Sequence, residues 1–200
     1  MFQPPERSAE RDAAIMALLP NVVFDGWTVA ALQNAAGPDA DLLFPGGVTN
    51  MVEAYCDLGD RWMEQGAADM SGMRLPGRVR ALIALRLEQN RPYKDAVRRA
   101  LAVLAIPGNT AVALRCTART VDTIWHAAGD PSTDFSWYTK RAILAGVYGS
   151  TLLYWLSDSS EDDARTLGFL DRRLQGVGRI GGLRRRASAV MQRFRPAAAA

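Results

Sequence analysis

The sequence predicts an all-α protein, and three observations carry that prediction. Apolar residues recur at helical spacing through most of the 200 residues. Pro or Gly stands at many of the joints between these segments. Strand-like alternation is not sustained over any stretch.

The elements follow in order. Glu6–Leu19 is polar with a stripe at Ala13, Met16 and Leu19, and Pro20 stops it. Thr28 suits the N-cap of a short helix ending at Gly37. Asp39–Phe44 reads as a second short helix before Pro45-Gly46-Gly47, so the pair suggests a helix-turn-helix. Val48–Gln65 carries a 3.6-residue stripe of Val48, Met51, Val52, Tyr55, Cys56 and Trp62. Pro76–Gln89, Pro92–Ala105, Thr110–Ala128, Asp134–Ser157 and Asp162–Val177 complete the set. Gly182–Arg195 is a short amphipathic segment. Its Leu183, Ala187, Val190, Met191 and Phe194 fall within an arc of about 100°, flanked by arginines.

A chain of this length can bury a substantial core in one domain. Cys56 and Cys116 lie far apart without metal-like spacing, which argues for a reducing compartment and against a disulfide framework. No stretch approaches the roughly 20 apolar residues of a membrane span. The N-terminal MFQPPERSAERD has neither the apolar run of a secretory signal nor the features of a transit peptide. The expected location is a bacterial cytoplasm.

The net charge of +3 hides an asymmetry. Between Arg11 and Arg61 there is no Lys or Arg, while Asp12, Asp25, Asp39, Asp41, Glu53, Asp57 and Asp60 lie in the gap. After Asp171 the sign reverses, with Arg172, Arg173, Arg179, Arg184, Arg185, Arg186, Arg193 and Arg195 and no acid among them. A repressor must set bases against phosphate. The would-be recognition helix offers Asp39 and Asp41 and no base, so DNA binding is not expected.

No catalytic constellation emerges. His126 is the single histidine, and there is no phosphate loop, nucleophile elbow or metal-ligand spacing. Asp122, His126 and Asp130 are four apart, which reads as a structural hydrogen-bond cluster. No catalytic residue, metal or cofactor is expected.

The most informative segment is Thr120–Trp155, dense in aromatics: Trp125, Phe135, Trp137, Tyr138, Tyr148, Tyr154 and Trp155. On a helix starting near Asp134, Trp137, Arg141, Leu144, Tyr148 and Trp155 share a face, with Ala142, Ala145, Gly146 and Gly149 roughly opposite. Such a face has the composition of a binding hot spot, and equally of ordinary core.

The run GDPSTDFSWYTKRAILAGVYGSTLLYWLSDSSED, followed by FLDRRL, resembles the ubiquinone-biosynthesis accessory lipid-binding family. Gly129, Asp130, Ser132, Thr133, Asp134, Phe135, Trp137, Tyr138, Thr139, Arg141, Ala142, Leu144 and Tyr148 stand in register, and weaker similarity reaches back to about Trp27. The resemblance implies a TetR-repressor-like helical bundle with a degenerate N-terminal helix-turn-helix and a C-terminal amphipathic helix. It divides the chain into residues 1–47, a helix-turn-helix unit; 48–177, a lipid-binding and dimerisation domain; and 178–200, a linker and basic membrane helix.

The resemblance also implies a function: a non-catalytic protein that binds isoprenoid quinone intermediates at the membrane and assists the di-iron demethoxyubiquinone hydroxylase. Partner binding is then carried over to Trp137, Tyr138 and Arg141. Apolar candidates for the lipid cavity are Leu82, Leu85, Leu101, Leu104, Val121, Trp125 and Leu152, all of which also suit a plain core. Membrane contact falls to Leu183, Arg184, Arg185, Arg186, Val190, Met191, Arg193 and Phe194, on an anionic surface. A homodimer, peripheral on a bacterial inner membrane, is expected. The alternatives are a TetR-type regulator with a hydrophobic effector, which the charge gap opposes, and a lipid-binding module of another pathway.

Overall fold

A computed structural model describes residues 3–67, 70, 72–130 and 136–176. Its helices are α1 (Ala9–Leu18), α2 (Val22–Asp25), α3 (Val29–Ala36), α4 (Gly47–Gly66), α5 (Leu75–Asn90), α6 (Lys94–Leu104), α7 (Thr110–Ala127) and α8 (Ser136–Ser157). Residues 164–176 form a further helix, α9, and the described residues contain no strand.

Local chemistry explains the ends. The hydroxyl of Ser8 accepts from the Arg11 N–H at 3.2 Å and caps α1. Thr28 does the same for α3, accepting from the Ala31 N–H at 3.1 Å, and Gly37 closes that helix at φ 107°. The second element of the expected helix-turn-helix is only a 3-10 turn, Ala40–Leu43. Pro38 and Pro45 leave room between them for little more than one helical turn. The short helix α2 was not legible in the sequence.

Helices α1 to α3 pack through Ile15, Leu18, Val22, Ala31 and Leu32, all buried. Arg11, the last base before the charge gap, is itself buried. Its guanidinium sits 4.5 Å from the centre of the Phe44 ring and donates to the Leu43 carbonyl. It therefore holds the 3-10 turn in place and is not presented to a partner.

The axis of the larger unit is α4. It buries Met51, Val52, Tyr55, Leu58 and Met63 against its neighbours, and packs on α1, α5 and α7. One edge of α4 is acidic, and here the charge asymmetry resolves. Glu53 accepts from Arg115 at 3.1 Å and Arg119 at 2.8 Å. Asp57 pairs with Arg7 at 2.7 Å and Arg61 at 3.1 Å. Asp60 pairs with Arg86 at 3.1 Å. These three acids of α4 are matched by arginines from the N-terminal segment, α4 itself, α5 and α7. Among them Asp60 and Arg86 are both buried, where an unmatched charge would be strongly destabilising.

Helix α8 closes the bundle. Its core face is Leu144, Val147, Tyr148, Thr151 and Trp155. Beyond it, Asp158 organises the turn into α9. One carboxylate oxygen accepts from the Thr166 N–H at 2.9 Å and its hydroxyl at 2.6 Å. The other accepts from the N–H and hydroxyl of Ser160 at 3.0 and 2.7 Å. These bonds hold the Asp158 carboxyl well below the usual range, the Thr166 bond contributing most.

Candidate functional site

The first turns of α8 lie over α7, and an apolar groove of about 410 Å³ runs between them. Trp137, Tyr138, Arg141, Ala142 and Ala145 line it from α8, and Leu114, Thr117, Ala118, Val121 and Asp122 from α7. The Arg141 guanidinium stacks on the Trp137 ring, 3.6 Å from its centre, and its Nε donates to Asp122. The Tyr138 ring meets Trp137 edge-on, centres 4.8 Å apart, and is 70% exposed. Leu114 across the groove is 63% exposed. Asp122 fixes the arginine, the arginine flattens the indole, and the apolar rings stay accessible. Pre-ordered aromatic area of this kind costs little entropy to dock.

The expected binding face divides in two. Trp137 and Arg141 line the groove, whereas Leu144, Tyr148 and Trp155 turn into the core. Nor are the small residues opposite: Ala142 and Ala145 border the same groove. Position 145 stands only about 40° round the helix from 141 at 100° per residue, so it belongs to the edge of that face. Ala142 and Gly146 are exposed.

The seven apolar residues considered for a lipid cavity do not share one cavity. Leu101, Leu104 and Leu152 line a small one of about 50 Å³, together with Tyr55, Cys56, Arg86, Asn90 and Tyr148. Val121 lines the α7–α8 groove. Leu82 is buried in the core, Leu85 packs at its margin, and Trp125 lies beneath Lys140, whose Nζ is 5.8 Å from the ring centre. The membrane candidates Leu183, Arg184, Arg185, Arg186, Val190, Met191, Arg193 and Phe194 lie outside the described residues, as do Ser132, Thr133, Asp134 and Phe135.

Asp122, His126 and Asp130 are placed as follows. Asp122 serves Arg141, and Asp130 accepts from Lys140 Nζ at 2.9 Å. His126 opens onto a cleft of about 320 Å³ that Asp122 also lines, with Arg7, Asp57, Arg61 and Arg119. Among the described residues, no group of three His, Cys, Asp or Glu side chains could hold a metal ion.

Sequence reasoning missed the polar wall of the small cavity. Tyr55, on α4, donates to Asn90 Oδ1 at 2.5 Å, and Asn90 Nδ2 donates to the Arg86 carbonyl at 2.6 Å. Burial pushes the Asp60 carboxyl up to about 6, against the pull of Arg86 and Thr120. Burial also pushes Tyr148 up to about 12, with Arg86 opposing. The signal was available: Arg86 falls on the apolar face of α5 with Leu82, Ile83 and Leu87.

Residues 110–181 match the COQ9 family model. Over these residues the chain is similar to the COQ9 family. The match begins at α7 and contains the whole groove. Over 103 residues the chain is 43% identical to the mitochondrial ubiquinone biosynthesis protein COQ9 of Rattus norvegicus, covering 52% of this chain and 33% of the relative. The human COQ9 protein is 41% identical over 103 residues, covering 52% and 32%. The Schizosaccharomyces pombe protein is 34% identical over 108 residues, covering 54% and 43%. The chain thus spans about a third to two-fifths of the length of these COQ9 relatives. All three are named as mitochondrial proteins, which overturns the expected bacterial cytoplasm and inner membrane. None is named as an enzyme.

The fold is TetR-like. A TetR transcriptional regulator from Nitrosomonas europaea superposes with a TM-score of 0.67 at 20% identity, covering 84% of this chain and 97% of the regulator. At that identity the likeness concerns the fold alone.

Proposed function

We propose that this chain acts in ubiquinone biosynthesis as a non-catalytic accessory protein. It binds isoprenoid quinone intermediates at a membrane and seats the di-iron hydroxylase on them. A long-tailed quinone precursor is nearly insoluble in water. A protein that holds the head group and docks the enzyme meets that need without chemistry of its own. The COQ9 relatives support the pathway.

The observation that carries the docking reading is the Trp137–Tyr138–Arg141 surface, within the matched residues. Its rings are ordered by Arg141 and Asp122 yet left open beside an apolar groove. The acid-bearing N-terminal unit, whose Arg11 is buried and whose Arg7 pairs with Asp57, disfavours the regulator reading.

Trp137→Lys tests the surface. The substitution places an ammonium where the stacked indole was, on a helix whose core face is untouched. The expected result is loss of co-purification with the hydroxylase, with helical content unchanged by circular dichroism. Co-purification at the wild-type level removes this surface from the proposal.

A further inference from the structure

Five buried or half-buried polar groups meet at the small cavity between α4, α5, α6 and α8, and one of them is incompletely bonded. Arg86 is 6% exposed. Its Nη2 donates to the Cys56 carbonyl at 3.0 Å and lies 3.1 Å from Asp60 Oδ1. Its Nε and Nη1 are buried and make no well-formed hydrogen bond within the protein, the Tyr148 hydroxyl being the one acceptor close enough to interact with the guanidinium. Buried donors are nearly always satisfied, and a charged one left unbonded is costly. The guanidinium is held in this position deliberately, because α4 makes room for it. A Cβ on Gly59 would stand 1.6 Å from Nη1 and 2.6 Å from Cζ.

The cavity has two chemically distinct walls. Arg86, Asn90, Tyr55 and Tyr148 supply the polar wall, and Val97, Leu101, Leu104 and Leu152 an apolar one. Leu101, Leu104 and Leu152 are only half-buried, so the apolar wall reaches the surface between α6 and α8. Farther along, Arg98 donates to the Leu156 carbonyl at 2.8 Å and Lys94 to that of Asp158 at 2.5 Å, tying α6 to the end of α8. The enclosed volume of about 50 Å³ admits the oxygen-bearing edge of a ring and not a whole ring. The charge state narrows the ligand further. Asp60 already balances Arg86, so a neutral acceptor fits and a second carboxylate would be repelled.

We propose that the Arg86 cavity is the head-group site for a neutral, carbonyl-bearing amphipathic lipid. One ring oxygen accepts from Arg86 where its side chain lines the cavity, and the tail leaves past Leu101, Leu104 and Leu152. The site rests on the lipid-binding part of the proposed function and supplies the group that recognises the ring.

Calorimetric titration of the full chain tests it with three probes of similar tail: decylbenzoquinone, decylbenzene and dodecanoic acid. Wild-type protein should prefer the quinone over both by about tenfold or more, the ratio expected of one hydrogen bond to a charged donor. The double variant Asp60→Asn/Arg86→Met removes the buried charges together. It should lose that preference while still binding decylbenzene. Leu101→Trp, at a half-buried position, should weaken quinone binding at least tenfold with an unchanged melting temperature. It decides the matter if the double variant does not fold. Equal binding of quinone and decylbenzene by wild type, or undiminished quinone binding by Leu101→Trp, overturns the head-group site and leaves lipid binding standing. Failure of all three probes to bind overturns the lipid-binding reading as well.

Discussion

Gly59→Ala should destabilise a helix that an alanine ordinarily strengthens. In the middle of an exposed helix, Gly to Ala gains roughly 0.5–1 kcal/mol. On α4 the new Cβ would lie 1.6, 2.6 and 2.9 Å from Nη1, Cζ and Nη2 of Arg86. The whole guanidinium must therefore move, and Nη2 takes with it the bonds to Asp60 and the Cys56 carbonyl. Disrupting a buried ion pair costs about 3–5 kcal/mol. Setting the alanine gain against that leaves about 2–4 kcal/mol of destabilisation. For a domain of this size each kcal/mol is worth roughly 2–4 °C, so the melting temperature should fall by about 5–15 °C. Gly146→Ala is the control, since nothing lies within 4 Å of its Cβ position, and it should hold or raise the melting temperature. Thermal melts followed by circular dichroism at pH 7 compare the two. If Gly59→Ala melts no lower than wild type, the guanidinium is not confined as described and the buried pair is not a major source of stability.

Two further predictions concern buried carboxylates, Asp60 and Asp158. Asp60 has its folded pKa raised to about 6 by burial, above the unfolded value near 3.9. The folded protein therefore binds the extra proton, and this group's contribution to stability falls as pH rises from about 4 to 6. The melting temperature of wild type minus that of Asp60→Asn should shrink across that window; a difference that grows with pH contradicts the assignment. Asp158→Ala removes four accepted hydrogen bonds at the start of α9. It should cost about 1–2 kcal/mol, as for a lost helix cap, with faster amide exchange confined to residues 164–176. Unchanged exchange there would show that packing alone holds the helix.

The helical class and most helix positions were legible because they rest on local signals. The Thr28 cap, the Gly37 stop and the apolar stripe of α4 all act within a few residues. The 3-10 turn at Ala40–Leu43 was over-read because its apolar residues and flanking turn signals suit a helix, while its length does not. In the candidate site, the shared face of Trp137 and Arg141 was legible from their spacing of four, and their stacking is what the structure adds. The division of α8 between core and groove did not, since a stripe of aromatics at helical spacing cannot tell buried rings from open ones. The Glu53–Asp57–Asp60 edge looked like a net charge asymmetry. Its partners Arg86, Arg115 and Arg119 lie about 26 to 66 residues away in sequence, and such pairings exist only once the bundle has closed. The same long-range closure assembles the small cavity, which is why Leu82 and Leu85 could not be separated from Leu101, Leu104 and Leu152 beforehand.

The proposed role places this chain in ubiquinone biosynthesis at the hydroxylase step, without chemistry of its own. A quinone profile by mass spectrometry, in the native host with the gene deleted and then restored, tests it most directly. Ubiquinone should fall and the demethoxy intermediate accumulate, both reversed by the wild-type gene and not by Trp137→Lys. A profile unchanged by the deletion would contradict it.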